Sequence, residues 1–206
     1  MSDAQRLEFF CTAQCKNLTN EALSQTVTGL LQESRIPHVL GCAQTARELA
    51  VLWGADPEDA WRAGILHDVT KALGEQAQRQ LCNCYGLQVE PFQWANHKLL
   101  HQLTGAEVAA RVFGEKPEIC LAIRTHTTGC VSMNTLQKII YIADYMEPNR
   151  DFEGVDTLRN LAINDLDAAV CLGLEMTMAL LEARGNPVCP QSVAALKELK
   201  KENQLC

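Results

Sequence analysis

Apolar and small residues recur at three- and four-residue spacing along most of this chain, and alternation with period two is missing. That spacing lays one apolar stripe along a helix and offers no strand a face to bury. The expected fold class is all-α, a single helical bundle. Pro37 to Trp53 carries Val39, Leu40, Ala43, Ala46, Leu49, Ala50 and Trp53 on such a stripe, and Gly54 ends it. Asp56-Pro57-Glu58-Asp59 reads as a helix start, with a capping acid, a proline in the first turn and acids where the dipole favours them. That helix should run to about His67. Further helices are expected over roughly 74–85 and 97–113, from Pro117 to near His126, from Thr135 to Met146, and over 157–183 with a break near Asn164-Asp165. Residues 1–33 read as one or two weakly amphipathic helical segments, and residues 188–206 as a short polar helix.

Composition narrows the function classes. The 206 residues are 47% hydrophobic, enough for one full core. With 18 basic against 25 acidic side chains the net charge is −7, which argues against long nucleic acid as a partner. No stretch approaches the roughly 18 apolar residues of a membrane span, and no basic segment followed by an apolar one reads as a secretory leader. Ten cysteines are present, none in a CxxC, and Cys82/Cys84 is a C-x-C pair that suits zinc poorly. Cys42, Cys120 and Cys171 fall within apolar helical patterns. All ten are expected to be reduced thiols of a cytoplasmic protein.

Chemistry is concentrated in five histidines and two aspartates. His67-Asp68 ends the run Ala-Gly-Ile-Leu, and Asp144 lies within Ile-Ile-Tyr-Ile-Ala-Asp-Tyr-Met. A carboxylate in such apolar sequence is expected to be buried, and burying it alone costs several kcal/mol. A proton, a partner such as Arg150 or Lys138, or a metal ion must neutralise it. Imidazole with carboxylate suits iron, manganese, cobalt or zinc. Each residue also has an ordinary reading. His38 can sit at a helix start, His67-Asp68 at a helix end, and His126 at a C-terminus that favours cations. His97 and His101 share one helix face at i, i+4.

The ordered set carries a resemblance. Arg35-Ile-Pro-His38, Ala63-Gly-Ile-Leu-His67-Asp68-Val-Thr-Lys71, Leu99-Leu-His101-Gln-Leu-Thr-Gly105, Arg124-Thr-His126-Thr-Thr-Gly129 and Lys138-Ile-Ile-Tyr-Ile-Ala-Asp144-Tyr-Met-Glu-Pro-Asn-Arg150 together resemble the HD-domain phosphohydrolase superfamily. They are most similar to its YqeK-type branch of symmetrical bis(5′-nucleosyl)-tetraphosphatases. The similarity covers about residues 30–170, and Gln137 and Asn149 depart from the branch's common residues. It implies an HD-domain bundle over 31–185; outside the similarity, an N-terminal helical extension over 1–30 and a C-terminal tail helix over 186–206 are expected from the helix pattern.

The resemblance further implies two divalent ions, iron by precedent, with manganese or cobalt as alternatives. His38, His67, Asp68 and Asp144 would hold one ion; Asp68, bridging, with His101 and His126 would hold the second. His97 matches no ligand position. Asp68 and Lys71 would be catalytic, with Lys71 neutralising phosphate charge. Arg150 would bind phosphate bidentately or pair with Glu147 or Asp151. Thr127 and Gly129 would offer a phosphate-binding turn or form only a turn, and Arg35 is a further phosphate candidate. The implied reaction is cleavage of diadenosine tetraphosphate to two ADP by attack of a metal-bridging hydroxide on an inner phosphorus. Two alternatives stay open: an HD-type hydrolase of a nucleoside monophosphate, guanosine alarmone or cyclic dinucleotide, and a non-catalytic nucleotide sensor. The expected partners are a small nucleotide substrate and its nucleoside diphosphate product. Neither long nucleic acid nor membrane is expected, and a homodimer is a candidate assembly.

Overall fold

The computed structural model describes residues 1–202 and contains only helices and connections among them. Cys206 and the end of the expected 188–206 helix lie outside the described residues. The order is α1 (Asp3–Thr12), α2 (Asn20–Leu30), α3 (Ile36–Trp53), α4 (Pro57–Leu66), α5 (Glu75–Tyr85), α6 (Pro91–Ala95), α7 (Leu100–Val108), α8 (Pro117–Thr125), α9 (Thr135–Met146), α10 (Val155–Asn164), α11 (Leu166–Ala183) and α12 (Pro190–Glu202). The all-α expectation holds. No helix among the described residues is long and apolar enough to cross a membrane.

Local chemistry explains most boundaries. Asp56 accepts from the backbone N–H groups of Glu58 and Asp59 and starts α4. Asn134 and Gln137 form a reciprocal cap at the start of α9, which gives Gln137 a local structural task. Gly54 ends α3 at φ +69°, a conformation that favours glycine. Asp165 caps α11, so the long apolar segment does break where Asn164-Asp165 suggested. The expected 97–113 helix is composite: a 3₁₀ turn over His97–Leu99, then α7, then a π turn over Ala109–Phe113. The five-residue α6 is too short to show periodicity and was not expected from the pattern.

The core that positions the site is the α3–α4 pair with α8 and α9 packed against it. Ala43, Ala46 and Ala50 of α3 and Ala60, Ala63 and Gly64 of α4 are buried and small, so the two backbones approach closely. A Cβ at Gly64 would lie 2.6 Å from the Ala43 Cα. Ile139, Ile140 and Ile142 of α9 are fully buried and close the core. The N-terminal helix lies along α5: Asp3 Oδ2 accepts from the Gly74 N–H at 2.9 Å, and the Tyr85 hydroxyl donates to Phe10 O at 2.6 Å.

Candidate metal centre

Helix ends bring the site together. His67 caps the C-terminus of α4, with Asp68 after it; His126 caps α8 in the same way. His38 lies in the first turn of α3, His101 in the first turn of α7, and Asp144 in the last turn of α9. The four histidines and Asp68 are buried. Asp144 departs from the sequence expectation: its side chain is 22% exposed. The deeply buried carboxylates are Asp68 and, unanticipated, Glu147.

The ring orientations share one logic. The Nδ1 atoms of His67, His101 and His126 sit 2.6, 2.6 and 2.7 Å from the carbonyl oxygens of Gly64, Lys98 and Ile123. A carbonyl only accepts, so this network assigns the proton to each Nδ1 and leaves each Nε2 with a lone pair. His38 achieves the same state through a carboxylate, with its Nδ1 3.1 Å from Glu147 Oε1. The four Nε2 atoms then face inward, those of His38 and His67 3.3 Å apart and those of His101 and His126 3.0 Å apart.

Asp68 joins the two pairs. Its Oδ1 faces His101 Nε2 at 3.3 Å and His126 Nε2 at 3.7 Å. Its Oδ2 faces His38 Nε2 at 3.7 Å and His67 Nε2 at 3.6 Å. Asp144 Oδ1 completes the second group, 3.2 Å from His38 Nε2 and 3.7 Å from His67 Nε2. Asp68 Oδ1 is buried without a hydrogen-bond partner. Lone pairs aimed at lone pairs around an orphaned carboxylate oxygen form a costly arrangement that a cation would satisfy. The donor triads His38/His67/Asp68, His67/His126/Asp144 and Asp68/His101/His126 each have their atoms within 4.8 Å of one another. This nitrogen and carboxylate set fits a transition-metal ion.

Electrostatics point the same way. Burial pushes His67 down to about 4, although Asp68 and Asp144 pull it up. Burial and then Lys71 hold His101 well below its ordinary value. Both rings are therefore neutral at neutral pH, as ligands must be. Burial alone would raise Asp68, but His67 and Lys71 outweigh it and keep the carboxyl well below the usual range.

Three cationic heads approach the carboxylates. Arg35 donates to Asp68 Oδ2 at 3.0 Å and Arg150 donates to Asp144 Oδ1 at 2.7 Å. Lys71 Nζ lies 2.9 Å from His101 Nε2 and 3.6 Å from Asp68 Oδ1. Arg150 is only 3.9 Å from Glu147, so the pairing expected there falls mainly to Asp144. Lys138 pairs with Asp167 instead. Thr127 Oγ1 sits 3.2 and 3.1 Å from the Nε2 atoms of His101 and His126. Gly129 lies in a turn: its N–H donates to Thr125 O, and Met133, Ala195 and Leu174 surround it. His97 faces Glu75 at 3.3 Å, outside the cluster.

The HD domain family matches residues 35–149, the span from Arg35 to the residue before Arg150. This chain belongs to the HD-domain family. The HD-domain chain is 36% identical over 181 residues to a symmetrical bis(5′-nucleosyl)-tetraphosphatase of Halalkalibacterium halodurans, covering 87% of this chain and 96% of the relative. It is 39% identical over 165 residues to the Bacillus subtilis protein of the same name, covering 79% and 87%. Among solved structures, an HD superfamily hydrolase from Clostridium acetobutylicum, described as involved in NAD metabolism, superposes with TM-score 0.86 at 34% identity. That match covers 90% of this chain and 98% of the other.

Two features of the site were not read from the sequence. Glu147 stands three residues after Asp144, so both lie on one side of the chain there; that spacing was the available signal. Asn149 supports it: its backbone N–H and side-chain Nδ2 both donate to Glu147 Oε2 at 2.8 Å, and Nδ2 reaches Pro37 O. The second feature is a cavity of about 430 Å³ beside Thr127, with Phe92, Leu99 and Leu181 as apolar walls and Lys98 and Arg184 among its lining. Its residues come from α6, α11 and the approach to α12, too far apart in sequence to form a visible motif.

Proposed function

We propose that this chain hydrolyses dinucleoside tetraphosphates, diadenosine tetraphosphate in particular, symmetrically to two nucleoside diphosphates, with two divalent cations held by His38, His67, Asp68, His101, His126 and Asp144. The observation that carries this reading is the convergence of four Nε2 atoms on a shared Asp68 carboxylate whose Oδ1 is buried without a hydrogen-bond partner. Bound cations supply Lewis acidity toward water and toward a phosphoryl oxygen; iron suits these ligands, as do manganese and cobalt.

The protein's own groups do the rest. Arg35, Lys71 and Arg150 ring the centre with fixed positive charge that a polyphosphate chain would share. The Arg150 guanidinium can offer two parallel N–H donors to one phosphate, while Lys71 acts as a compact charge beside His101. Thr127 provides a hydroxyl on the same side. The cavity next to Thr127 has the size and apolar walls of a small-molecule site, and it takes one nucleoside. With that nucleoside seated, its two phosphates reach back to the cluster, and the bond to the third phosphate falls at the centre. Such a register gives symmetrical cleavage. The far half lies toward Arg35 and Arg150. The hydrolase unit proposed over 31–185 therefore borrows a wall from the 186–206 segment, since Pro187, Cys189 and Ser192 line the cavity. Residues 1–30 serve as a helical extension, and the protein works in the cytoplasm with its catalytic cleft open to small nucleotides.

Product analysis tests the reading. Metal-loaded protein incubated with diadenosine tetraphosphate should yield ADP alone. ATP with AMP would overturn the symmetrical register. Faster turnover of a nucleoside monophosphate or a cyclic dinucleotide would overturn the substrate class.

A further inference from the structure

Outside the metal centre, the last turn of α1 meets the last turn of α5 through two exposed cysteines, Cys11 and Cys84. Their Sγ atoms are 2.9 Å apart. We propose that Cys11 and Cys84 are a redox modification site, which a small-molecule disulfide of the glutathione type converts to an intramolecular disulfide. A disulfide bond is about 2.0 Å long, so the sulfurs need to close by less than about 1 Å. Both lie at the surface, where a small reagent reaches them. Cys42, by contrast, is fully buried, and Cys82, two residues before Cys84, turns inward.

The exchange has two steps. Cys11 is pushed up to about 11 by its burial and by the hydrogen bond and charge of Cys84 beside it. The thiolate of one cysteine of the pair attacks one sulfur of the reagent, the reagent's S–S bond breaks, and one small thiolate leaves. The other cysteine, 2.9 Å away, then loses its proton, attacks the capped sulfur and expels the second small thiol. Two protein thiols are oxidised and one reagent disulfide is reduced to two thiols. In a reducing compartment the step is reversible, as such bonds usually are there.

The crosslink acts on an element that braces the site. Gln78 of α5 donates to Thr70 O at 2.7 Å and accepts from the Thr104 hydroxyl at 2.8 Å. It thus ties the turn after Asp68 to the helix carrying His101. The helix α1 already holds both ends of α5, through Asp3 to Gly74 and through Phe10 to Tyr85. A covalent link at Cys11–Cys84 closes a long loop of the unfolded chain, which stabilises the folded form.

The experiment treats the full chain with glutathione disulfide and maps its peptides, with melting followed in parallel. Expected are a peptide pair joined through Cys11 and Cys84, a melting point raised by up to about 10 °C, and reversal of both by dithiothreitol. The Cys84→Ser variant should show neither change. In Cys11→Ser, a glutathione adduct should persist on Cys84, because nothing resolves it. A persistent adduct on Cys84 of the unmutated chain, a link between two chains, or no reaction at this pair would each overturn the proposal.

Discussion

Adding one methyl group at Gly64 tests whether the centre depends on close approach of α3 and α4. The Cβ of Gly64→Ala would lie 2.6 Å from the Ala43 Cα and 3.0 Å from its backbone nitrogen. Ordinary contact needs about 3.5–4.0 Å, so the helices must part by about 1 Å. The obstacle is backbone and cannot swing aside. Overpacking of this kind costs about 1–3 kcal/mol, and contact with backbone puts the cost at the upper end. Alanine returns about 1 kcal/mol through helix propensity, leaving a net loss of about 2 kcal/mol. Gly105→Ala is the internal control: its Cβ meets His67 O at 3.4 Å and Ile123 Cγ2 at 3.5 Å, an ordinary contact. It should be neutral or slightly stabilising. The separation also displaces His38 from His67, and a misplacement of about 1 Å can cost roughly 100-fold in rate. Urea denaturation of both variants, with turnover measured alongside, reads both effects. Equal stability of Gly64→Ala and Gly105→Ala would refute the reasoning.

Glu147→Gln keeps the shape beside His38 but removes the charge, and should weaken cation affinity about 10–100-fold with helix content unchanged; unaltered affinity by metal titration would leave Glu147 a purely structural residue. Lys71→Ala should keep the bound cations and slow turnover, as loss of a phosphate-neutralising charge requires; unchanged kinetics would remove Lys71 from the machinery. In cation-free protein, His67 titrates at about 4 when folded and near 6.5 when unfolded. The unfolded chain therefore binds protons first, and stability should fall as pH drops from about 6.5 to 4, by on the order of 3 kcal/mol. His101 adds to this loss, while His38, raised by Asp144 and Glu147 against its burial, opposes it. Stability that rises over that window in denaturation curves would contradict the assignment of buried neutral rings.

The sequence made the helices legible because their boundaries are written in local chemistry: Asp56-Pro57 at the start of α4, Gly54 at the end of α3, Asp165 between α10 and α11. It also presented His67-Asp68 and Asp144 as residues needing a partner. What it could not show was depth. Asp144 sits in the more apolar segment yet stays partly exposed. Glu147, next to a proline at a helix end, entered only as a partner for Arg150, yet it is buried, held by Asn149 beside the first turn of α3. Gly129 was legible as a turn, but not that α11 and α12 close over it. These outcomes depend on packing between helices distant in sequence, and no local pattern records that. The cavity is invisible for the same reason.

The central claim is that a shared Asp68 and four inward-facing imidazoles hold a pair of cations. Elemental analysis of protein purified without chelator measures this directly. Two divalent transition-metal ions per chain are predicted, falling to almost none in Asp68→Ala. A chain that retains no more than one ion after loading and dialysis, or an Asp68→Ala protein that still binds two, would contradict it.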